Sequence, residues 1–128
     1  FPNKVSFISQ NWKKYPALIQ DSTLVTKIID IEKTINGRAY YYIPKEKVLP
    51  FAGQIKTGDI ILITTKKKGL DTAHVGIAIE NEGQIYLLHA SVSDKKVSVT
   101  TETLPDYLQR ITSHSGIMIG RLINFKSN

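Results

Sequence analysis

Two short apolar segments with a turn-forming sequence between them constrain the fold of this chain more than any other feature. They are residues 73–79 and 85–91, and both are rich in branched aliphatic side chains. The intervening Asn81, Glu82 and Gly83 are typical of a β-hairpin turn. The sequence therefore predicts two paired antiparallel strands.

Each strand of this hairpin carries one histidine, His74 in the first and His89 in the second. Near pH 7 a neutral imidazole accepts a proton, orients a second imidazole or binds a metal. We expect the large residues of the first strand to face the core, which leaves His74 on the opposite face beside Gly76 and Ala78. No other part of the sequence concentrates as much chemistry.

The length of the turn decides whether the two imidazoles meet. A turn of two or four residues places His74 and His89 on one face of the sheet. A three-residue turn with Gly83 in a bulge places them on opposite faces. The Asn-Glu-Gly sequence favours the bulged turn, although a strand twist or a second bulge would restore convergence, so the sequence leaves this point open.

The rest of the chain predicts an α+β fold, a curved antiparallel sheet of five or six strands with N-terminal helices packed on it. Apolar residues at helical spacing predict a long helix that begins at Asp21 or Ser22 and ends at Gly37, and we expect it to be buried scaffold. The continuous apolar run at 59–65 predicts a central strand. Thr103 is expected to cap a late helix whose buried stripe is Leu104, Tyr107, Leu108 and Ile111.

Three further polar or aromatic regions have an expected place in the fold. Residues 40–43 read as a strand, and Tyr41 within it is interpreted as part of a core or substrate groove rather than a stacking platform for nucleic-acid bases. His114, between Ser113 and Ser115, is expected to be solvated in a loop. The basic run at 66–68 is expected to be a solvated loop as well.

Length and composition narrow the class of protein. The 128 residues predict a single domain, 1–128, and no apolar run is long enough to span a bilayer. The net charge of +6 favours anionic partners. The chain lacks cysteine and begins with Phe1 rather than methionine, so we expect it to be the C-terminal part of a longer protein.

Segments 58–61, 69–78 and 87–91 (GDII, GLDTAHVGIA and LLHAS), in that order, resemble the bacterial N-acetylmuramoyl-L-alanine amidase-like family. This family is a branch of the NlpC-type, papain-like cysteine peptidases and amidases of the cell wall. The resemblance continues upstream through 40–44 and downstream through 103–108 and 116–118, so it covers nearly the whole chain.

The resemblance implies that the chain is the sheet half of a papain-like fold that hydrolyses an amide of peptidoglycan. His74 would be the general base and His89 the third member of a Cys-His-His set, with the cysteine on a helix outside this chain. Asp71, Ser91 and Tyr41 are expected near the substrate. No cofactor and no metal site is expected, since the histidine spacing matches no common zinc motif.

The same resemblance implies a peptidoglycan peptide or muropeptide as partner and a location in the periplasm or cell envelope. Without the cysteine-bearing helix, the sheet should expose an apolar face, and we expect the chain to self-associate or to be only marginally stable. Two other functions remain open: a cysteine-less relative that only binds peptidoglycan or a partner, and a basic nucleic-acid-binding domain. A cysteine upstream distinguishes the enzyme from the binder, and a steep salt dependence would identify nucleic-acid binding.

Overall fold

The computed structural model describes residues 4–123, which form two compact units. The first comprises 4–41 and 66–71, and the second comprises 42–65 and 72–123. Residues 1–3, which carry the expectation about a missing start, and residues 124–128 lie outside the described part. The single domain 1–128 stays a prediction.

The described residues contain five α-helices and six β-strands. The helices are α1 Phe7–Gln10, α2 Pro16–Gln20, α3 Thr23–Asn36, α4 Lys45–Phe51 and α5 Leu104–Arg110. The strands are β1 Ile43–Pro44, β2 Ile60–Thr65, β3 Thr72–Asn81, β4 Gln84–Ser91, β5 Lys96–Val99 and β6 His114–Gly120.

One six-stranded antiparallel sheet organises the second unit, in the order β1-β6-β2-β3-β4-β5. The predicted α+β class with an antiparallel sheet is confirmed. Strand β2 lies between β6 and β3, which confirms the central strand predicted from its apolar run. A strand with neighbours on both sides satisfies its backbone groups in the sheet, and branched aliphatic residues suit that position.

Helices α4 and α5 cover one face of the sheet. Their residues Val48, Leu104 and Leu108 are fully buried and pack with β-strand residues such as Ile61 and Leu87. The cap predicted for α5 is confirmed, because the Thr103 side chain accepts a hydrogen bond from the backbone of Asp106. This packing makes the covered face the inner face of the sheet and places α5 against β6 and against β4, the strand that carries His89.

The expectation that the large residues of β3 face the core is wrong. Val75 and Ile77 are exposed, whereas Gly76 and Ala78 are buried on the inner face. A Cβ atom at Gly76 would lie 2.5 Å from Leu87 Cδ1 and 2.8 Å from the Leu88 carbonyl oxygen. The small residues of β3 thus leave space for Leu87 of β4. The prediction failed because strand periodicity alone does not determine which face of a strand is covered.

The outer face of the sheet carries exposed apolar residues from three strands, β2, β3 and β5. The exposed fraction of these side chains runs from 38% at Ile60 to 70% at Val97. The strand register places all of them on the face opposite α4 and α5: Ile60, Val75, Ile77, Val97 and Val99. We refer to these five residues as the outer apolar face.

The first unit departs from the sequence prediction in one respect. Helix α3 has nearly the predicted bounds, but Glu32 is its only buried residue, so the expectation of a buried scaffold is wrong. Glu32 accepts a hydrogen bond from the backbone of Ser9 in the short helix α1. An amphipathic stripe predicts which side of a helix is apolar, but not that a partner surface covers it.

The predicted strand over 40–43 is also shorter than expected. Strand β1 contains only Ile43 and Pro44, which pair with Ile117 and Gly116 of β6. The preceding tyrosines have high β propensity but lie outside the ladder, since propensity yields to tertiary context. No helix within residues 4–123 combines the length and the apolar character that crossing a membrane requires.

An ion pair between the buried Asp59 and the partly exposed Arg121 lies at the start of β2. Arg121 donates from Nε and Nη2 to the two carboxylate oxygens of Asp59, at 2.7 and 2.6 Å. The Asp59 side chain is only 2% exposed. The hydrogen bonds from Arg121, more than any other cause, lower the pKa of Asp59 below its ordinary value of 3.8.

We expect Arg121→Met to lower the Tm at pH 7, because it leaves a buried carboxylate without its main partner. A carboxyl whose pKa is lower in the folded state stabilises the fold above its unfolded pKa and loses that effect as the pH falls through its folded pKa. The difference in Tm between the two proteins should therefore shrink as the pH falls below 3.8. Thermal unfolding between pH 7 and 3 measures it.

The exposed pair Lys33–Asp30 supplies the matched control. Lys33→Met should leave the Tm unchanged at both pH values, since exposed ion pairs contribute little. Equal effects of the two substitutions would contradict a special contribution from the Asp59–Arg121 pair.

Candidate active site

The β3–β4 turn has two residues, Glu82 and Gly83, because Asn81 pairs directly with Gln84. The φ angles of Glu82 and Gly83 are 51° and 78°, as a type I′ hairpin turn requires. The preference for a three-residue bulged turn is therefore wrong. In the observed register the even-numbered residues of β3 share a face with the odd-numbered residues of β4, which puts His74 and His89 on the same side.

The two histidines are in direct contact. His74 Nε2 and His89 Nδ1 lie 2.8 Å apart, and the ring planes are perpendicular with centroids 5.0 Å apart. His74 pairs with Ile63 of β2, and His89 pairs with Ser98 of β5. Two different neighbouring strands thus hold the two backbones, and the imidazoles bridge the space between β3 and β4.

The contact defines which nitrogen of His74 is left for chemistry. Nε2 is engaged with His89, and within residues 4–123 His74 Nδ1 has no hydrogen bond. If Nδ1 carries the free lone pair, then Nε2–H donates to His89 Nδ1, and His89 is the Nε2–H tautomer. This arrangement can accept a proton at His74 Nδ1 while His89 fixes the orientation of the ring.

The surroundings of His74 favour its neutral form. Burial, and secondarily the neighbouring His89, lower the pKa of His74 below its ordinary value of 6.5. The neutral form, which is the form that accepts a proton, therefore persists to lower pH than in a free histidine. A general base near neutral pH needs this property.

The histidine pair lies in the wall of an open pocket of about 870 Å³. Hydroxyl groups and charged groups of β4, β5, α5 and the intervening loops supply most of the remaining wall. Its charged and aromatic residues include Asp94, Glu102, Tyr107, Arg110 and His114. A pocket of this size and polarity accommodates a peptide or a sugar-linked peptide rather than an apolar ligand.

Tyr107 and His114 extend the histidine pair into a row of four rings. The Tyr107 ring lies 5.5 Å from His89 at 78° and 5.6 Å from His114 at 37°. His114 is only 5% exposed and forms the first residue of β6, so the expectation of a solvated loop residue is wrong. The sequence offered no signal for it, because its flanking serines are typical of a loop.

The other predicted substrate residues fall in different places. Ser91 lines the pocket, and its hydroxyl accepts a hydrogen bond from the backbone of Asp94. Asp71 and Tyr41 belong to the first unit, where Tyr41 is 89% exposed. Roles for all three in substrate binding stay predictions. Within residues 4–123 no three His, Asp or Glu side chains cluster in a way that could hold a metal ion.

A family model described as AmiA-like, N-acetylmuramoyl-L-alanine amidase-like, matches residues 3–117. No curated protein matches the chain. Among solved structures, an N-acetylmuramoyl-L-alanine amidase from Bacteroides uniformis is 37% identical, with a TM-score of 0.82, and the match covers 91% of this chain and 50% of that one.

Two further structures are similar. A Bacteroides fragilis protein named provisionally as a xylanase is 38% identical with a TM-score of 0.83, and the match covers 91% of this chain and 51% of that one. Protein LPG0564 of Legionella pneumophila is 24% identical with a TM-score of 0.51, over 77% of this chain and 40% of that one, and shows the fold alone. The chain spans about half the length of the Bacteroides proteins.

Proposed function

The chain belongs to the N-acetylmuramoyl-L-alanine amidase-like family, and we propose that it is the histidine-bearing half of an amidase that cuts the bond between N-acetylmuramic acid and L-alanine in peptidoglycan. The observation that carries this proposal is the 2.8 Å contact between His74 Nε2 and His89 Nδ1 in the wall of an open polar pocket. A base held by a second group is the arrangement that activates a nucleophile.

The nucleophile in this proposal is a cysteine thiol from outside these 128 residues, which contain no cysteine. The solved Bacteroides structures are about twice as long as this chain, so a relative of their size has room for such a segment. With that segment the protein would be a papain-like cysteine amidase of the NlpC type, and without it the chain would be inactive.

The chemistry would begin at His74 Nδ1, which takes the proton from the thiol. The thiolate attacks the lactyl carbonyl carbon, and His74 returns the proton to the leaving nitrogen of L-alanine. This leaves a thioester, which a water molecule hydrolyses after His74 removes one of its protons. His89 accepts a hydrogen bond from His74 Nε2–H throughout and stabilises the imidazolium form.

Glycoside hydrolysis, the activity that the name of the Bacteroides fragilis protein suggests, has less support in this pocket. That reaction usually needs two carboxyl groups, one of them protonated. Among the described residues, Asp94 and Glu102 are the carboxylates in the pocket wall. Glu102 accepts hydrogen bonds from Arg110 Nε and Nη2 at 2.8 and 2.6 Å, so its carboxylate is already engaged by a guanidinium.

The proposed partners and location follow from the proposed substrate. A peptidoglycan amidase acts on muropeptides, and we place the protein in the periplasm or cell envelope. The outer apolar face favours self-association, because soluble monomers rarely expose contiguous apolar patches of more than a few hundred Å². A non-catalytic peptidoglycan binder remains the alternative if the full-length protein lacks the cysteine.

Product analysis with the full-length protein tests the function. Digestion of purified muropeptides should release a peptide with a free L-alanine amino terminus, identified by mass spectrometry, and iodoacetamide should abolish the release. His89→Ala should lower kcat/KM about 100-fold, because the base loses its orientation. His89→Asn should retain much of the activity, since its amide oxygen can still accept from His74.

Two outcomes would contradict this assignment. If activity persisted after iodoacetamide, the nucleophile would not be a cysteine. If the cleaved bond lay within the peptide rather than between N-acetylmuramic acid and L-alanine, the protein would be a peptidase and the proposed site of cleavage would be wrong.

A further inference from the structure

His114 Nδ1 is buried and has no hydrogen-bond partner among the described residues. Buried polar atoms are nearly always paired, so an unpaired ring nitrogen limits which tautomer the imidazole can adopt. The side chain is held in place by Tyr107, and its backbone N–H donates to the Ile111 carbonyl. Its position is therefore fixed by α5 and β6.

The burial of Nδ1 determines the form of the ring. A proton on Nδ1 would be a buried donor without an acceptor, which proteins avoid more strictly than an unpaired acceptor. The proton therefore belongs on Nε2, the other ring nitrogen of a residue that lines the pocket. The structure thus favours a neutral imidazole with a donor at Nε2.

The charges around His114 act in the same direction. Burial first, and then His74 on β3, Lys45 on α4 and Arg110 on α5, lower the pKa of His114 below 6.5. Burial and these neighbouring groups thus all disfavour a positive charge on His114. His114 is suited to donate a hydrogen bond and unsuited to take up a proton.

Tyr107 supplies a second donor beside it. Burial raises the pKa of the Tyr107 phenol above 10.0, so its hydroxyl keeps its proton. Tyr107 lines the pocket, and within residues 4–123 its hydroxyl has no hydrogen-bond partner. The Arg110 guanidinium, tied to Glu102, lies 5.3 Å from the ring centroid.

We propose that Tyr107 and His114 form a donor subsite that binds a carbonyl or hydroxyl oxygen of the substrate beside the His74–His89 pair. This inference deepens the proposed function and rests on it for the class of substrate. Two neutral donors suit an uncharged oxygen of a peptide or sugar. They explain why the pocket wall contains a third histidine that the chemistry at His74 does not use.

Binding of N-acetylmuramoyl-L-alanyl-D-isoglutamine to the 128-residue chain tests the subsite by NMR titration. Tyr107→Phe removes the hydroxyl and keeps the ring contacts with His89 and His114. We expect its Kd to rise about tenfold, the size of effect of one lost hydrogen bond. Tyr86→Phe is the matched control, because the Tyr86 hydroxyl donates to Gln84 near the turn, and its Kd should equal that of the wild type.

Substitutions at His114 and imidazole ¹⁵N shifts test the second donor. His114→Phe should raise the Kd about tenfold, and His114→Gln, which keeps a donor near Nε2, should raise it less. The shifts of the wild type should report neutral Nε2–H at pH 6.5 and a change at Nε2 when the ligand binds. A His114→Phe variant that fails to fold leaves the shifts and Tyr107→Phe as independent tests.

The outcomes separate this inference from the function on which it rests. Wild-type affinity in both Tyr107→Phe and His114→Phe, or an Nδ1–H tautomer, would overturn the subsite while the amidase assignment stands. If the wild-type chain did not bind the ligand, the subsite would be overturned as well. The amidase assignment would then still be decided by the products of the full-length protein.

Discussion

Replacing His74 with alanine in the full-length protein is expected to lower kcat/KM for muropeptide hydrolysis by about 1,000-fold. General-base catalysis typically contributes between about 10² and 10⁴ in rate, and here the same group would serve the thiol, the leaving amine and the attacking water. His74 Nδ1 is the nitrogen left for this chemistry, since Nε2 is engaged with His89. Initial rates at saturating and limiting substrate measure the effect.

Val75→Ala provides the matched control for His74→Ala. Val75 is the next residue of β3, it is exposed on the outer face, and it lies opposite Leu62. This variant shortens a side chain of the same strand without touching the pocket, so its kcat/KM should equal that of the wild type. Equal activity of the wild type and His74→Ala would show that His74 is not the base.

Gly116→Ala is expected to destabilise the fold by about 3 kcal/mol, at the upper end of the usual cost of overpacking. A Cβ atom at Gly116 would overlap the carbonyl oxygen of Ile43 and lie 2.9 Å from the Cα atom of Pro44. Both contacts are with backbone, which cannot rotate away, so β1 and β6 would have to separate. Urea unfolding monitored by circular dichroism gives the difference in free energy.

Gly53→Ala is the corresponding control, since a Cβ atom at Gly53 would meet nothing within 4 Å. A substitution at an unconstrained position usually changes the free energy of unfolding by no more than about 0.5 kcal/mol. If the two alanine variants unfolded at the same urea concentration, the close approach of β1 to β6 would not affect the free energy of unfolding.

The sequence predicted the parts of this structure that local pattern determines. The apolar run of β2 identified a central strand, and Thr103 identified the start of α5. His74 and His89 were found because a polar residue in an apolar strand stands out. Each of these signals lies within a few neighbouring residues and depends little on the remainder of the fold.

The errors arose where tertiary contacts decide between equal local patterns. Alternation in β3 predicted the correct period but the wrong buried face. Helices α4 and α5 determine which face is covered, and the sequence of β3 does not encode where they pack. The segment Asn81–Gly83 is compatible with more than one turn. His114 was missed because β6 begins three residues before its apolar run, and only the pairing of His114 with Thr65 reveals this.

The two-residue turn at Glu82 and Gly83 has a consequence for how this protein tolerates insertions and deletions. Loops normally accept changes in length, but here one extra residue would have to be absorbed as a bulge or would rotate His89 away from its partner. Homologues that retain the activity should therefore keep this connection at constant length or change it by two residues, however freely its composition drifts. Foreign loops grafted into the hairpin tip should likewise keep the two histidines together only when they change the turn length by an even number of residues.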